Sequence, residues 1–227
     1  RMLDEERPDW LVHAAAICRV DKCERAPAFA WRVNVGVTET LLSLLPTTTR
    51  LIYCSSDHVF SGDSGPYPEN APTDPLTVYG QTRVAAEERV LAHPHGLVLR
   101  SGLLLGPSHD GRRGHLDWLR HRTASGLPLT LVADERRSVI WADAYAQRLV
   151  ALMANEELRG VRHVCSARTV DRPRLARWLD GRFGLGVRFD EERRVDRRHP
   201  HLGTMELQSV DEPVAGPDIA SRAGVED

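Results

Sequence analysis

The sequence of 227 residues is poor in lysine, in net charge and in long apolar runs. Lys22 is the single lysine, so 29 of the 30 basic residues are arginine. Arginine codons can be GC-rich and lysine codons are AT-rich, so this preference is typical of a GC-rich genome. The 30 basic residues oppose 32 acidic residues and leave a formal net charge of -2. That balance argues against a basic nucleic-acid-binding protein.

Other absences exclude further classes of protein. No stretch approaches the roughly 18 consecutive apolar residues of a membrane helix, and no apolar segment of a secretory signal follows the first residues. The four cysteines, at positions 18, 23, 54 and 165, have neither a zinc-site spacing nor the density of a disulfide framework. A reducing cytoplasm is therefore the expected compartment. We predict no metal site, because the pairs His93/His95 and His199/His201 lack an evident third ligand.

What is present is an alternation of apolar runs and helical patterns. Short apolar runs at 10–16, 51–54 and 97–99 predict buried strands, the first of them running into a turn of small residues. Helical spacing of apolar residues predicts helices over 21–45 and 79–91. This alternation predicts a parallel α/β sheet. Further helices are predicted at 115–124, 143–154 and 171–183, further strands at 129–132, 138–141, 161–165 and 187–189, and a frayed tail after about residue 208.

The carboxyl ends of the first three predicted strands are the expected ligand-binding region, because open parallel sheets bind ligands there. The first strand leads into Ala14-Ala15-Ala16, the second into Ser55-Ser56-Asp57 and the third into Arg100-Ser101-Gly102. Small residues at the first would let a flat ligand approach the backbone, and hydroxyls at the second could hold a carbonyl oxygen. The same residues could equally serve only to permit turns.

Tyr79 and Arg83 add a second candidate feature. Residues four apart lie on one face of a helix, and a nearby cation favours the phenolate form of tyrosine. Lowering a phenol pKa from near 10 to about 7 requires about 4 kcal/mol of differential interaction. A tyrosine tuned in this way can exchange a proton with a carbonyl or an alcohol at neutral pH, while Ser56 binds the same oxygen. Serine, tyrosine and a cation are what carbonyl reduction by a nicotinamide needs from the protein.

Several stretches carry a family pattern by their order and spacing. In chain order they are His13-Ala14-Ala15-Ala16, Val20-Asp21-Lys22-Cys23-Glu24, Val33-Asn34, Ser55-Ser56-Asp57-His58-Val59-Phe60-Ser61-Gly62, Gly65-Pro66-Tyr67-Pro68-Glu69, Pro75-Leu76-Thr77-Val78-Tyr79-Gly80 with Glu87, Leu99-Arg100-Ser101, and Arg136-Arg137-Ser138-Val139-Ile140 with Asp143. Together they resemble the extended short-chain dehydrogenase/reductase superfamily, and within it the dTDP-4-dehydrorhamnose reductase family. The resemblance covers residues 8 to 185 and weakens after about residue 110.

The resemblance implies a two-lobed α/β enzyme with a Rossmann-like parallel sheet. Residues 1–105 would form a partial NAD(P)-binding lobe, residues 106–207 mainly a smaller substrate-binding lobe interleaved with the first, and residues 208–227 a tail. The implied activity is the reduction of a nucleotide-diphosphate 4-keto sugar with NADPH or NADH. The implied partners are a nucleotide sugar and, as one possible assembly, a second copy in a homodimer, with no nucleic acid and no membrane.

The resemblance also implies roles for individual residues. Ser56 matches the catalytic serine or threonine of the family, and Tyr79 matches the catalytic tyrosine. Arg83 stands where the family has a lysine that holds the nicotinamide ribose and lowers the tyrosine pKa. The residues implied to line the cofactor are Ala14, Ala15, Ala16, Tyr79 and Arg83, and those implied to bind the substrate are Ser56, Asp57, Arg100 and Ser101.

The sequence departs from the family pattern in four respects. It contains no Gly-x-x-Gly-x-x-Gly turn between a strand and a helix, where the family binds the cofactor pyrophosphate. We therefore expect that the chain is an N-terminally truncated part of a longer reading frame and binds NAD(P)H poorly. Arg83 replaces lysine with a wider, planar group. Gly102-Leu103-Leu104-Leu105 replaces a stretch that often carries a sugar-packing aromatic residue, and His58 replaces a usual tyrosine.

Two alternative functions remain open. The chain could be an epimerase or dehydratase of the same superfamily. It could also be a non-catalytic binding subunit, as the regulatory subunit of methionine adenosyltransferase is within the family. Arg83 and the absent glycine-rich turn favour the subunit, whereas Ser56 and Tyr79 favour the enzyme.

Overall fold

The predicted apolar runs form the strands of a parallel sheet. The computed structural model describes residues 6–111, 114–197 and 202–219. Four parallel strands have the order β1-β2-β3-β7. Their bounds are β1 Trp10–His13, β2 Arg50–Ser56, β3 Gly96–Ser101 and β7 Gly160–Val164. The central strands β2 and β3 are buried on both faces, which explains why residues 51–54 and 97–99 within them are continuously apolar. The predicted parallel α/β sheet is confirmed.

The helix predicted over residues 21–45 is divided into shorter pieces. These are α1 Val20–Arg25, α2 Pro27–Trp31, a π-helical turn Arg32–Gly36 and α3 Val37–Leu44. Pro27 starts a new helix at its first position, because proline cannot donate a backbone hydrogen bond within a helix. In the π turn, the Asn34 side chain accepts a hydrogen bond from Ile17 N at 2.8 Å and donates to Thr82 at 2.9 Å. The single helical period therefore concealed the break at Ala26 and the π turn that contains Asn34.

The helix predicted over 79–91 is α4, Val78–Leu91, and the Thr77 hydroxyl caps it by accepting a hydrogen bond from Gly80 N. The three helices predicted further along the chain are α5 His115–Ala124, α6 Ala142–Met153 and α7 Arg172–Phe183. Asp171 caps α7 through its side chain, and Gly184 ends it in a left-handed conformation. All four helices lie within one residue of their predicted bounds.

A second set of strands follows β3. The strands are β4 Leu103–Leu105, β5 Thr130–Val132, β6 Arg136–Trp141, β8 Thr169–Asp171, β9 Asp190–Glu192 and β10 Thr204–Met205. One sheet has the order β10-β6-β4 with β8 antiparallel to β6, and β5 pairs with β9. The strand predicted at 187–189 was wrong by three residues, because β9 begins at Asp190. The strands β4, β8 and β10 were not predicted, since two or three residues are too few to show a period.

The two halves of the chain share a core. Ile140 of β6 and Tyr145 of α6 pack with Ile52 of β2 and Leu97 of β3. The strand β7, at residues 160–164, also completes the first sheet. Residues beyond 105 therefore contribute to the first sheet as well as to the second set of strands. A separate apolar cluster around Leu116, Val139, Leu175 and Leu179 packs β6 with α5 and α7.

The long loop over residues 60–77, between β2 and α4, and the segment after Gln208 are both held by hydrogen bonds. The Tyr67 hydroxyl accepts from Gly62 N and Ser64 N, and Tyr67 O accepts from Gln208 N at 2.8 Å. Val214 N donates to Cys165 O, and Ala215 O accepts from Trp141 N. The predicted fraying therefore does not hold for residues 208–219. In the part of the chain that the structure describes, no helix is both long enough and apolar enough to cross a membrane.

Candidate active site

The carboxyl ends of the central strands bring the candidate residues to one edge of the sheet. Ser56 of β2 pairs with Ser101 of β3, and Ser101 pairs with Val164 of β7, so the three residues form one row. Ala14 to Ala16 follow β1 at the same edge, because all four strands are parallel. The structure therefore brings together the strand ends that the sequence singled out.

The start of α4 places Tyr79 beside Ser56. Gly80 packs directly on the backbone carbonyl of His58, where any side chain would collide. This close approach presses the helix against the turn that follows β2. The Ser56 hydroxyl lies within hydrogen-bonding reach of the Tyr79 phenol, and the His58 and Tyr79 rings meet edge to face with centroids 5.2 Å apart.

Arg83 lies one helical turn beyond Tyr79 and is 3% exposed. Its Nη2 donates to the carbonyl oxygen of Cys54 in β2. The guanidinium carbon lies 4.4 Å from the centre of the Tyr53 ring and 5.8 Å from that of Tyr79. The buried Nε has no hydrogen-bond partner. Arg83 therefore holds its charge beside Tyr79 and keeps one unpaired donor.

Burial decides the direction of the Tyr79 pKa. Burial raises it above its ordinary value, while the Arg83 charge and the hydrogen bond from Ser56 oppose that change without cancelling it. Arg83 therefore acts in the predicted direction, but burial outweighs it and the Tyr79 pKa is not brought towards 7. The phenol keeps its proton at neutral pH, and this is the form that can protonate an oxygen.

Asp57, which the resemblance placed near the sugar, is fully buried against Arg137 of β6. Arg137 Nε donates to Asp57 Oδ2 at 2.7 Å and Nη2 donates to Oδ1 at 2.5 Å. The Ser56 hydroxyl donates to the same Oδ1 at 3.2 Å. Asp57 is thus turned towards Arg137 and Ser56. A role for Arg137 was not predicted from the sequence, because its partner is 80 residues away.

Arg100 is also engaged inside the protein. Its Nη2 donates to Glu87 Oε2 of α4 at 2.7 Å, and both side chains are buried. Ser55 donates to the other oxygen of Glu87 at 2.5 Å. Arg100 and Ser101 point to opposite faces of β3, since side chains alternate along a strand. The predicted substrate contact of Arg100 is therefore not supported by its position, which is that of a buried ion pair between the sheet and α4.

A groove of about 700 Å³ opens at the same edge of the sheet. It begins at Cys165, the residue after β7, and two strand spacings, about 10 Å, separate its row of the sheet from Ser56. Arg136, Arg168, Glu206 and Asp211 line it together with the hydroxyls of Ser138, Ser166, Thr169 and Ser209. The two guanidinium groups can bind phosphate oxygens, and the carboxylates and hydroxyls can bind sugar hydroxyls. The loop residues Arg112 and Arg113 lie outside the described residues.

Comparison with known proteins identifies the family. The profile described as "RmlD substrate binding domain" matches residues 1–185. The chain belongs to this family. It is 34% identical over 169 residues to the probable dTDP-4,6-dihydroxy-2-methyloxan-3-one 4-ketoreductase of Streptomyces antibioticus, an alignment that covers 73% of the chain and 56% of the relative.

Further relatives agree with this assignment. The chain is 38% identical over 107 residues to the methionine adenosyltransferase 2 subunit beta of Xenopus tropicalis, covering 46% of the chain and 32% of the relative. The chain thus spans about half the length of its reductase relatives and about a third of this subunit. The structure of a Bacillus anthracis dTDP-4-dehydrorhamnose reductase in complex with NADP superimposes with a TM-score of 0.81 at 20% identity, covering 92% of the chain and 74% of that structure. The Rossmann-like fold is thereby confirmed.

The residues of this RmlD-family chain fit one end of a nicotinamide cofactor. Ala14 and Ala15 are exposed beyond β1 and carry no side chain that would keep a flat ring from the backbone. The unpaired Nε of Arg83 is a buried donor of the kind that a ribose hydroxyl would satisfy. The 227 residues contain no glycine-rich turn of the kind that holds a pyrophosphate. These residues therefore fit the nicotinamide and its ribose, and they do not include a binding turn for the pyrophosphate.

Metal ligands are not gathered at this site. Within the described ranges, no three histidine, cysteine or acidic side chains lie close enough to hold a metal ion. The His93 and His95 rings meet edge to face with their centroids 6.4 Å apart. Both residues lie between α4 and the start of β3, at the opposite end of the strand from Ser101. His199 and His201 lie outside the described residues.

Proposed function

We propose that this chain takes part in the NAD(P)H-dependent reduction of a nucleotide-diphosphate 4-keto sugar. The observation that carries the proposal is the meeting of Ser56 and a protonated, buried Tyr79 beside the Arg83 cation at the carboxyl edge of the sheet. The names of the reductase relatives point to the same chemistry. A cytoplasmic location and a homodimer are part of the same proposal.

The reacting centre follows from these side chains. A bound nicotinamide would supply a hydride to the carbonyl carbon, and the electron pair of the carbonyl bond would move to its oxygen. The Ser56 hydroxyl positions that oxygen by a hydrogen bond. The Tyr79 phenol gives it a proton, and the Arg83 charge stabilises the phenolate that remains. The raised pKa of Tyr79 suits this direction, because the reduction starts from the protonated phenol.

The groove supports the nucleotide-diphosphate part of the proposal. Arg136 keeps 44% of its side chain exposed, and its guanidinium already donates to Thr169 O at 3.0 Å. Arg168 faces the same groove. The sugar would lie at Ser56 and the diphosphate at these arginines, beyond the end of β7. Arg136 and Arg168 would bind the diphosphate by charge-assisted hydrogen bonds.

A non-catalytic binding subunit is the second candidate, and the position of Arg83 favours it. The Arg83 guanidinium donates to Cys54 O, so one of its donors is already occupied. A subunit of this kind would bind a nucleotide sugar in the groove and transfer no hydride. An epimerase or dehydratase would need a further step on the sugar, and no described side chain favours it over simple reduction.

The test separates binding from chemistry. Isothermal titration with dTDP-glucose should give a measurable Kd for the wild-type chain, and the Arg136→Gln/Arg168→Gln double variant should weaken it at least about tenfold. The exposed Arg177→Gln variant is the matched control and should bind as the wild type does. Nicotinamide oxidation at saturating NADPH with a dTDP-4-keto-6-deoxy sugar should then depend on Tyr79. Binding without oxidation, unchanged by Tyr79→Phe, would favour the subunit.

A further inference from the structure

A line of buried polar contacts leads from Ser56 into the second lobe. Ser56 donates to Asp57, and both oxygens of Asp57 accept hydrogen bonds from Arg137. Arg137 Nη1 also donates to Glu135 Oε1 at 3.2 Å, and Arg172 Nε lies 3.9 Å from the same oxygen. The line therefore joins the end of β2 to β6 and the start of α7.

We propose that Arg137 is a positioning residue for the reaction, because it clamps and neutralises Asp57, so that the single Ser56 proton can turn from Asp57 Oδ1 to the substrate oxygen. This inference rests on the proposed function, in which that hydroxyl holds the substrate oxygen. Arg137 acts through Asp57 and has no hydrogen bond of its own to Ser56.

The geometry of the clamp supports this role. The planar guanidinium meets both carboxylate oxygens at 2.7 and 2.5 Å, which fixes the plane of the Asp57 carboxylate. The Asp57 side chain is 0% exposed and that of Arg137 is 6% exposed, so water does not replace either partner. A carboxylate held in this way offers Ser56 one acceptor position.

The charge of Arg137 has a second effect on the same oxygen. Arg137 compensates the negative charge of Asp57, and an uncompensated Asp57 would accept more strongly from Ser56 and retain its proton. It would also destabilise the Tyr79 phenolate, because the Asp57 charge acts to raise the Tyr79 pKa. The groups that face Tyr79 are Arg83 on α4, Ser56, Asp57 and His58 at the end of β2, Cys18 after β1 and Cys23 on α1.

The test uses two single variants with opposite expected effects. Arg137→Gln leaves the Asp57 charge uncompensated, so the Tyr79 pKa should rise. Asp57→Asn removes that charge and leaves Arg137 paired with Glu135, so the Tyr79 pKa should fall. The measurement is ¹⁹F NMR titration of protein labelled with 3-fluorotyrosine, whose more acidic phenol brings the titration into an accessible range. The Tyr79→Phe variant assigns the signal among the four tyrosines.

Turnover gives the second measurement. Arg137→Gln should lower kcat by about tenfold or more with little change in KM, since it alters proton transfer more than binding. Arg137→Lys keeps the charge and should return the Tyr79 pKa towards the wild-type value. The Asp57→Asn/Arg137→Gln double variant should titrate close to the wild type, and it keeps the test decisive if Arg137→Gln alone does not fold.

The outcomes are separable from those of the proposed function. Shifts in the same direction, or no shift in either single variant, would overturn the positioning role. The positioning role would also be overturned if Arg137→Gln kept as much kcat as the surface control Arg177→Gln. A wild-type chain that reduces no sugar nucleotide would refute the proposed function, whereas the titrations would still report whether Arg137 controls Asp57 and Tyr79.

Discussion

Two buried arginines lie near the Ser56–Tyr79 pair, Arg83 on α4 and Arg137 on β6, and their surroundings differ. On the β6 side, Arg137 donates to carboxylate oxygens of Asp57 and Glu135. On the α4 side, Arg83 donates to one backbone carbonyl, lies over the Tyr53 ring and keeps an unpaired Nε. The β6 side is thus a completed ion-pair network, whereas the α4 side retains a donor for a ligand.

The comparison shows that one residue type can serve two purposes within one site. Neighbouring acids raise the pKa of Arg137 against the effect of burial, so this arginine is charged because its partners are charged. Burial also acts to lower the pKa of Arg83, whereas the phenolate forms of Tyr79 and Tyr53 act to raise it, and the net change is upward. The charge of Arg83 is thereby available to stabilise a phenolate. The first arrangement supports structure and orientation, and the second supports chemistry.

The largest expected difference between the two sides is in stability. Arg137→Gln leaves the buried Asp57 carboxylate without its partner, and we expect a loss of about 3–5 kcal/mol in the free energy of unfolding. The Asp57→Asn/Arg137→Gln double variant should recover most of that loss. Urea unfolding followed by circular dichroism measures both values. A loss below about 1 kcal/mol for Arg137→Gln would show that the clamp is not a completed network.

Acid should destabilise the fold through His58, which lies in the turn after β2. Burial, reinforced by the Arg137 charge, lowers the pKa of His58 from 6.5 to about 4. The folded state therefore holds this histidine neutral, and its contribution to stability is present above pH 6.5 and is lost as the pH falls to about 4. We expect a loss of up to about 3 kcal/mol over that range. Urea unfolding at pH 7 and pH 4.5 should show a shallower decrease for His58→Phe than for the exposed control His121→Gln.

The α4 side should tolerate loss of its arginine better. Arg83→Met removes a buried charge together with one hydrogen bond and one ring contact, so we expect a change of about 1 kcal/mol or less in stability. The same variant should raise the Tyr79 pKa further, because the Arg83 charge acts to lower it. Arg83→Lys retains the positive charge, so the Tyr79 pKa should stay close to its value in the wild type. A destabilisation by Arg83→Met as large as that of Arg137→Gln would remove the contrast between the two sides.

The smallest effect should come from an arginine at the surface. Arg177 of α7 lies 3.1 Å from Glu191 of β9, and both side chains are about half exposed. Exposed pairs contribute about 0–1 kcal/mol, so Arg177→Gln should change the unfolding free energy by about 0.5 kcal/mol or less. A larger change in urea unfolding would mean that charge loss at any arginine of this chain is costly, and the comparison would lose its reference.

The sequence predicts the local part of this site and misses the distant part. The buried strand before Ser56 and the helix that carries Tyr79 and Arg83 are recognisable, because an apolar run and a helical period are local patterns. The contact between Asp57 and Arg137 joins residues 80 positions apart, and no local pattern encodes it. The direction of the Tyr79 pKa also escaped prediction, since burial, which decides it, is a property of the assembled fold.

The helix predicted over residues 21–45 and the substrate role predicted for Arg100 also show that local patterns do not reveal distant packing partners. The apolar residues keep their helical spacing across Pro27, although a new helix starts there. The spacing alone therefore did not reveal the break before Pro27. Arg100 follows a strand as a ligand-binding residue might, but the alternation of β3 turns it to Glu87. In both cases the secondary structure was predicted, but the contacts that determine the local geometry could not be predicted from the sequence.

Hydride transfer tests the central claim most directly. The chain would be incubated with NADPH deuterated at the transferred position, at saturating concentration, and with a dTDP-4-keto-6-deoxy sugar, and the product would be examined by mass spectrometry. We predict one deuterium in the reduced sugar for the wild type and a loss of roughly 100-fold or more in rate for Tyr79→Phe. No transfer by the wild type under saturating conditions, or equal transfer by Tyr79→Phe, would contradict a reductase that uses the Ser56–Tyr79 pair.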